Sequence, residues 1–185
     1  MAGRRTRTGV GKGRGDHLSC RKPPAANQVE LPFFGDHIKG KSLRQVSDLR
    51  AFLAGTWHVD RSVLDRRQAS TGELNGLARF TPFGRSLLYE ERGTLTFGAH
   101  RGPAEQHLKF EFPDGETQAR VRFRDGRPFH ELDLSDGEAN VSHPCGDDLY
   151  EGRFVVIDAG HWRSSWQVAG PRKDQEIVTH YIRLC

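Results

Sequence analysis

Beyond residue 56 the chain alternates apolar and polar residues with a period of two. Trp57, Val59 and Val63 are interleaved with His58, Asp60 and Ser62. The same beat returns in Leu108, Phe110 and Phe112 against Lys109 and Glu111, and in Ala119, Val121 and Phe123 against Arg120, Arg122 and Arg124. It returns again in His130, Leu132 and Leu134 against Glu131 and Asp133, and in Trp162, Ser164, Trp166 and Val168 against His161, Arg163 and Gln167. Successive side chains of a strand point to opposite faces, so each run predicts a strand with one dry and one wet side. Gly-, Pro- and Asp-rich turn signals fall at 71–72, 82–84, 102–103, 113–115, 125–126, 136–137, 146–147, 158–160 and 170–171. They bound strand-like runs at 77–80, 86–97, 106–112, 118–124, 128–134, 139–143, 149–157, 161–168 and 175–184. Short connections between such runs predict an all-β fold, a single antiparallel up-and-down barrel of about eight to ten strands. Closure leaves no edge strand to template aggregation. Without alternation of strands and helices, a parallel sheet is excluded.

The pattern changes before Gly55. Leu49, Phe52 and Leu53 lie on one face of a short helix, with Ser47 or Asp48 placed to cap its first amides and Gly55 to end it. Such a helix would plug or flank one end of the barrel. Upstream, residues 1–45 lack apolar periodicity and predict a disordered basic tail, leaving 46–185 as the barrel domain. Residues 1–41 hold nine Lys/Arg against three acids, so of the net +4 the tail carries +6 and the remainder −2. The basic pI therefore belongs to the tail, and nucleic acid is an expected partner only through it. The tail reads either as a basic arm or as an extension without function.

Hydrophobic residues make up 35% of the 185, with 11 Phe, 3 Trp and 3 Tyr, which is material for one aromatic-rich core. No run approaches the roughly 18 apolar residues of a membrane span. The basic start is not followed by a secretory apolar segment. Cys20, Cys145 and Cys185 are odd in number and widely spaced, which argues against a disulfide framework and for a reducing, cytoplasmic setting.

Gly55-Thr56-Trp57 at the first strand and Arg183 in the last resemble the Gly-x-Trp…Arg signature of the calycin group, which comprises lipocalins, fatty-acid-binding proteins and nitrobindin-like barrels. The resemblance implies that Trp57 sits at the closed end of the barrel with Arg183 packed across its indole, as structural residues. The strings at 127–134, 143–150 and 170–174 are similar to a family of small bacterial lipocalin-like domains of unknown function, over roughly residues 50–183. That similarity implies the barrel and no reaction.

Four constellations could carry chemistry. His143-Pro144-Cys145-Gly146-Asp147-Asp148 brings imidazole, thiol and carboxylate together, as a turn, a ligand-contacting loop or a thiol or metal site. No partner motif elsewhere completes a metal site, so none is expected. Gly170-Pro171-Arg172-Lys173-Asp174 reads as a hairpin turn or as an anion clamp using Arg172 and Lys173. Asp125-Gly126-Arg127 is a hairpin signal, followed by His130 on the face of Leu132 and Leu134, either a core imidazole or a ligand contact. Tyr89, Tyr150, Trp162, Trp166 and Tyr181 pack the core or line a cavity. Adjacent carboxylates such as Glu90 and Glu91 point to opposite faces of a strand and make poor acid–base couples.

The expectation is a lipocalin-like small-molecule-binding protein. Its ligand would be apolar or amphipathic, with a polar or anionic end met by Arg127, Arg172 or Lys173, and with Trp166, Tyr150 and His130 along the wall. One alternative is an enzyme or metal site on His143 and Cys145. Another, implied by the nitrobindin-like resemblance, is a haem barrel on a single His. A third is an interaction domain acting through the basic tail. No cofactor is expected in the first of these.

Overall fold

The computed structural model describes residues 43–184. Expectations placed on the basic tail at 1–42 and on Cys20 and Cys185 lie outside the described residues. The helix is α1 (Leu49–Leu53), and the Asp48 side chain accepts from the Ala51 amide at 2.7 Å. Leu49 and Leu53 are fully buried, and Gly55 leaves the helix at φ +117°, which a residue with a Cβ rarely adopts.

Ten strands follow: β1 (Gly55–Asp65), β2 (Ser70–Phe83), β3 (Ser86–Phe97), β4 (His100–Glu111), β5 (Gln118–Phe123), β6 (Pro128–Asp133), β7 (Glu138–Cys145), β8 (Asp148–Asp158), β9 (His161–Gly170) and β10 (Lys173–Arg183). They form one antiparallel sheet in the order β6-β5-β4-β3-β2-β1-β10-β9-β8-β7. The first and last strands pair from Trp57 opposite Arg183 to Asp65 opposite Gln175, so the up-and-down sheet wraps into a nearly closed barrel. Its seam lies between β6 and β7, the two ends of the order. At the helix end the chain just before α1 spans this seam. The Arg44 amide donates to the Val156 carbonyl at 3.4 Å and the Val46 amide to the Leu134 carbonyl at 3.2 Å.

Two sequence signals were misleading. Gly72 and Gly102-Pro103 read as turns but lie inside β2 and β4, which makes both strands longer than the runs at 77–80 and 106–112. At Gly72 a Cβ would come within 2.1 Å of the Phe97 ring, so the glycine makes room for an aromatic lying on the barrel wall. Pro103 is tolerated because β4 pairs with β5 only from Leu108 to Glu111. The upper part of β4 is a sheet edge, where a missing amide breaks no ladder bond.

The closed end is packed. Trp57 is fully buried, and its indole Nε1 donates to the Leu53 carbonyl at 2.8 Å. The Arg183 guanidinium lies 4.1 Å over the indole, donating to the Ala54 carbonyl at 2.9 Å and to the Phe52 carbonyl. It thereby caps carbonyls at the helix end while making a cation–π contact. Trp162 and Tyr181 stack beside them with centroids 3.7 Å apart.

Candidate functional site

Inward-facing residues change character along the barrel axis. Near α1 they are buried, as for Trp57, Phe80, Leu87, Phe110, Trp162 and Tyr181. Toward the other end the inward positions Arg61, Leu95, Ala104, Phe123, Phe129 and Trp166 are only half-buried. At that end, which the β5–β6, β7–β8 and β9–β10 turns ring, Val63, Asp65, Phe97, Val168 and Gln175 stay buried, so the interior opens to water on the seam side. Because β5 and β6 are short and β4 rises past them, the wall is lowest beside the seam.

Aromatic side chains gather at this mouth. Phe129 and Trp166 stack at 5.4 Å with an interplanar angle of 11°. Phe123 and His143 approach Phe129 at 4.7 and 4.9 Å, and His130 approaches Trp166 at 5.5 Å. Two backbone features make the cluster possible. A register shift between Val121 and Arg122 bulges β6, so consecutive Phe129 and His130 both join the cluster. Gly152, opposite Trp166 across the β8–β9 ladder, lets the indole lie flat: a Cβ there would be 2.7 Å from the ring.

Both imidazoles are held neutral. His130 Nδ1 donates to the Glu131 carbonyl at 3.0 Å, which leaves Nε2 as an acceptor. Burial, seconded by the neighbouring His143, pulls its pKa down to about 4. His143 is lowered too, by burial and then by Arg127. Cys145 follows His143 on the same inward face of β7. Among the described residues no group of three or more His, Cys, Asp or Glu is arranged to hold a metal.

The cations expected to clamp an anion are already engaged or lie outside the lumen. Lys173 does face the mouth, but its ammonium stands 2.7 Å from Asp148 and donates to the Tyr150 hydroxyl at 2.8 Å. Burial opposes its charge, yet Asp148 and Tyr150 more than offset this and raise its pKa. Asp148 is folded over Gly170, where a Cβ would come within 1.9 Å of its carboxylate. Arg127 is exposed on its turn and pairs with Asp125 at 2.7 Å. Arg172 is exposed on the β9–β10 turn. The structure therefore brings His130, His143, Cys145, Tyr150, Trp166 and Lys173 to one mouth, with Arg127 and Arg172 on the loops around it.

Deeper in the lumen is a polar network that lies outside the four sequence constellations. Arg61 grips Glu91 through two bonds of 2.7 Å, Nη1 to Oε1 and Nη2 to Oε2, and its Nε donates to Thr179 Oγ1 at 2.8 Å. The Tyr89 hydroxyl donates to the same carboxylate. Burial, followed by Tyr181 and Glu91, pushes the Tyr89 phenol well above its usual range. The signal was present: alternation from Trp57 places Arg61 inward, and alternation from Leu87 does the same for Glu91. Glu90 and Glu91 do face opposite sides, and that is why Glu91 is inside.

Two discrete pockets are smaller than the roughly 300 Å³ at which small-molecule sites begin. One of about 90 Å³ lies at the closed end between Arg50, Arg85 and Phe112. The other, of about 160 Å³, lies at the β5–β6 bulge beside His130. With the His130 ring packed on Phe129, Phe154 and Trp166, this side does not fit a porphyrin.

Among known proteins, the family described as "Family of unknown function (DUF6314)" matches residues 53–183. No curated protein sequence matches. Among solved structures, an S-type phycobiliprotein lyase from Guillardia theta superposes with a TM-score of 0.62 at 11% identity, over 77% of this chain and 94% of that one. A protein of unknown function of the DUF3598 family from Nostoc punctiforme superposes with a TM-score of 0.53 at 11% identity, over 78% of this chain and 51% of that one. At such identity the likeness speaks for the barrel alone.

Proposed function

The chain belongs to the DUF6314 family of unknown function, and from its barrel we propose that it binds a small amphipathic molecule in the open half of the lumen. The observation that supports this is the half-exposed aromatic cluster on the seam side of the lumen. Phe97 is buried at the same end, yet Phe123, Phe129 and Trp166 beside the seam are left half-exposed around a common space. Amphipathic rings with solvent on one side are suited to an apolar guest. The guest's ring would lie against Phe129 and Trp166, beside His130 and His143. Tyr150, Lys173 and Cys145 at the rim and Arg61 deeper in are the polar groups that its polar end would meet. A cytoplasmic setting belongs to the same proposal, supported by the number and spacing of the cysteines.

Native mass spectrometry of protein purified from its own cells tests this. Binding predicts an added mass that is released on denaturation. An unadorned mass, together with no quenching of Trp166 by any of a panel of apolar dyes, would overturn it.

A further inference from the structure

Building on luminal binding, we propose that the ligand is an uncharged planar molecule with a carbonyl-type acceptor oxygen, and that Arg61 is the group that meets this oxygen. Arg61 sits midway along β1 on the inward face, and 17% of its side-chain surface is open, whereas its partner Glu91 is 2% open. A guanidinium carries five N–H donors. Two go to Glu91, one to Thr179, and Tyr181 is a further hydrogen-bonding neighbour. That leaves donor capacity on the open side. An ion pair in the middle of a barrel is costly to desolvate, and packed apolar residues serve stability equally well or better. Arg61, part-open beside a buried and fully paired Glu91, is therefore the mark of a site rather than of a core.

The charge balance points to an uncharged guest. Among the described residues, both Lys/Arg side chains that face the lumen have a built-in carboxylate at 2.7 Å: Arg61 has Glu91, and Lys173 has Asp148. A third inward carboxylate, Asp65, is buried and accepts from Gln175 at 2.9 Å and from the Gln68 amide at 2.9 Å. The lumen therefore already holds more carboxylates than cations. An anionic guest would have to desolvate beside them, and like charges in such a setting repel strongly. A neutral acceptor takes a charge-assisted bond from Arg61 without that cost.

The shape points to a planar one. On one side is the Phe129–Trp166 stack, lying flat over Gly152. Across the lumen, β4 presents the small Ala104 at a half-buried inward position, while Leu74 covers Gly93 and the His100 ring lies over Gly102. A flat aromatic wall with a small residue across from it suits a flat ring.

Acetylnaphthalene and naphthoate test this, since they carry a ketone or a carboxylate on the same ring. Titration of the full chain is read by calorimetry and by Trp166 quenching, with Trp166→Phe assigning the signal. The ketone should bind at least about tenfold tighter than the carboxylate, the worth of one hydrogen bond to a charged group. The double variant Arg61→Met/Glu91→Met removes both charges together, and an unchanged circular dichroism spectrum checks that it is folded. The variant should lose about tenfold in ketone affinity. Naphthoate binding as tightly as the ketone, or ketone affinity unchanged in the double variant, overturns the proposal. In either of those cases luminal binding itself stands. Failure of both probes to quench Trp166 in the wild type removes luminal binding and this proposal with it.

Discussion

Replacing Arg61 by Met should destabilise the barrel, and the loss should depend on pH. Glu91 has 2% of its side chain exposed and loses two bonds of 2.7 Å when the guanidinium goes. Removing one partner of a buried ion pair typically costs about 3–5 kcal/mol. The stranded carboxylate can escape by taking up a proton, which sets a ceiling. Protonating an ordinary glutamate, with a pKa of about 4.3, costs about 3.7 kcal/mol at pH 7 and about 1 kcal/mol at pH 5. A carboxyl that is neutral when folded and ionised when unfolded loses stability as pH rises. Arg61→Met should therefore be less stable than wild type by about 3–4 kcal/mol at pH 7 and by only about 1–2 kcal/mol at pH 5. Urea denaturation of both proteins at the two pH values measures this, and groups common to both cancel in the difference. Arg61→Met/Glu91→Met should lose this pH dependence and recover part of the loss at pH 7, the Tyr89 hydroxyl left without its acceptor still costing about 1–3 kcal/mol. A loss that is the same at both pH values, or a double variant as unstable as the single one at pH 7, would refute the reasoning.

Three further outcomes follow from the packing and the titrating groups. Gly152→Ala places a methyl group 2.7 Å from the Trp166 ring and should cost about 1–3 kcal/mol by overpacking, with a shift in tryptophan emission; an unchanged melting temperature would contradict this. His130 titrates near 4 when folded, against 6.5 for the free side chain, so the unfolded chain binds the extra proton between those values. Stability should then fall as pH drops from 6.5 toward 4, by up to about 3 kcal/mol, and His130→Gln should flatten that slope in melting curves; an unaltered slope rejects the assignment. Arg183→Met removes the cation over Trp57 and strands the Ala54 and Phe52 carbonyls, so a loss of about 2–3 kcal/mol in denaturation should accompany a change in Trp57 emission.

Period-two alternation carried most of the architecture, because a barrel wall has one wet and one dry side along nearly every strand. The helix cap at Asp48, the exit at Gly55 and the inward sets through Trp57, Phe110 and Trp162 were all readable in this way. Glycine was the weak point. Gly72 and Gly102 serve side-chain packing and close approach within strands, and locally they look the same as turn glycines. The bulge that brings Phe129 and His130 to one cluster also breaks the alternation, so sequence parity alone could not place both inside. The candidate residues at the mouth shared one barrel end because alternate hairpin turns must fall there. What each was paired with was invisible: that Lys173 is matched by Asp148 depends on a contact between β8 and β10 across β9. Arg61 and Glu91 are legible by parity alone, although charged residues are seldom inside.

The central claim is that the half-open lumen is the binding site, and filling it tests that most directly. Ala104 faces the lumen from the upper part of β4, where no neighbouring ladder constrains the strand on one side. Ala104→Trp would place an indole in the slot opposite Trp166. Titrated with acetylnaphthalene and read by calorimetry, the wild type should bind. The variant, with an unchanged circular dichroism spectrum, should lose at least about tenfold in affinity. Undiminished binding in a folded Ala104→Trp variant would place the ligand elsewhere and contradict the account.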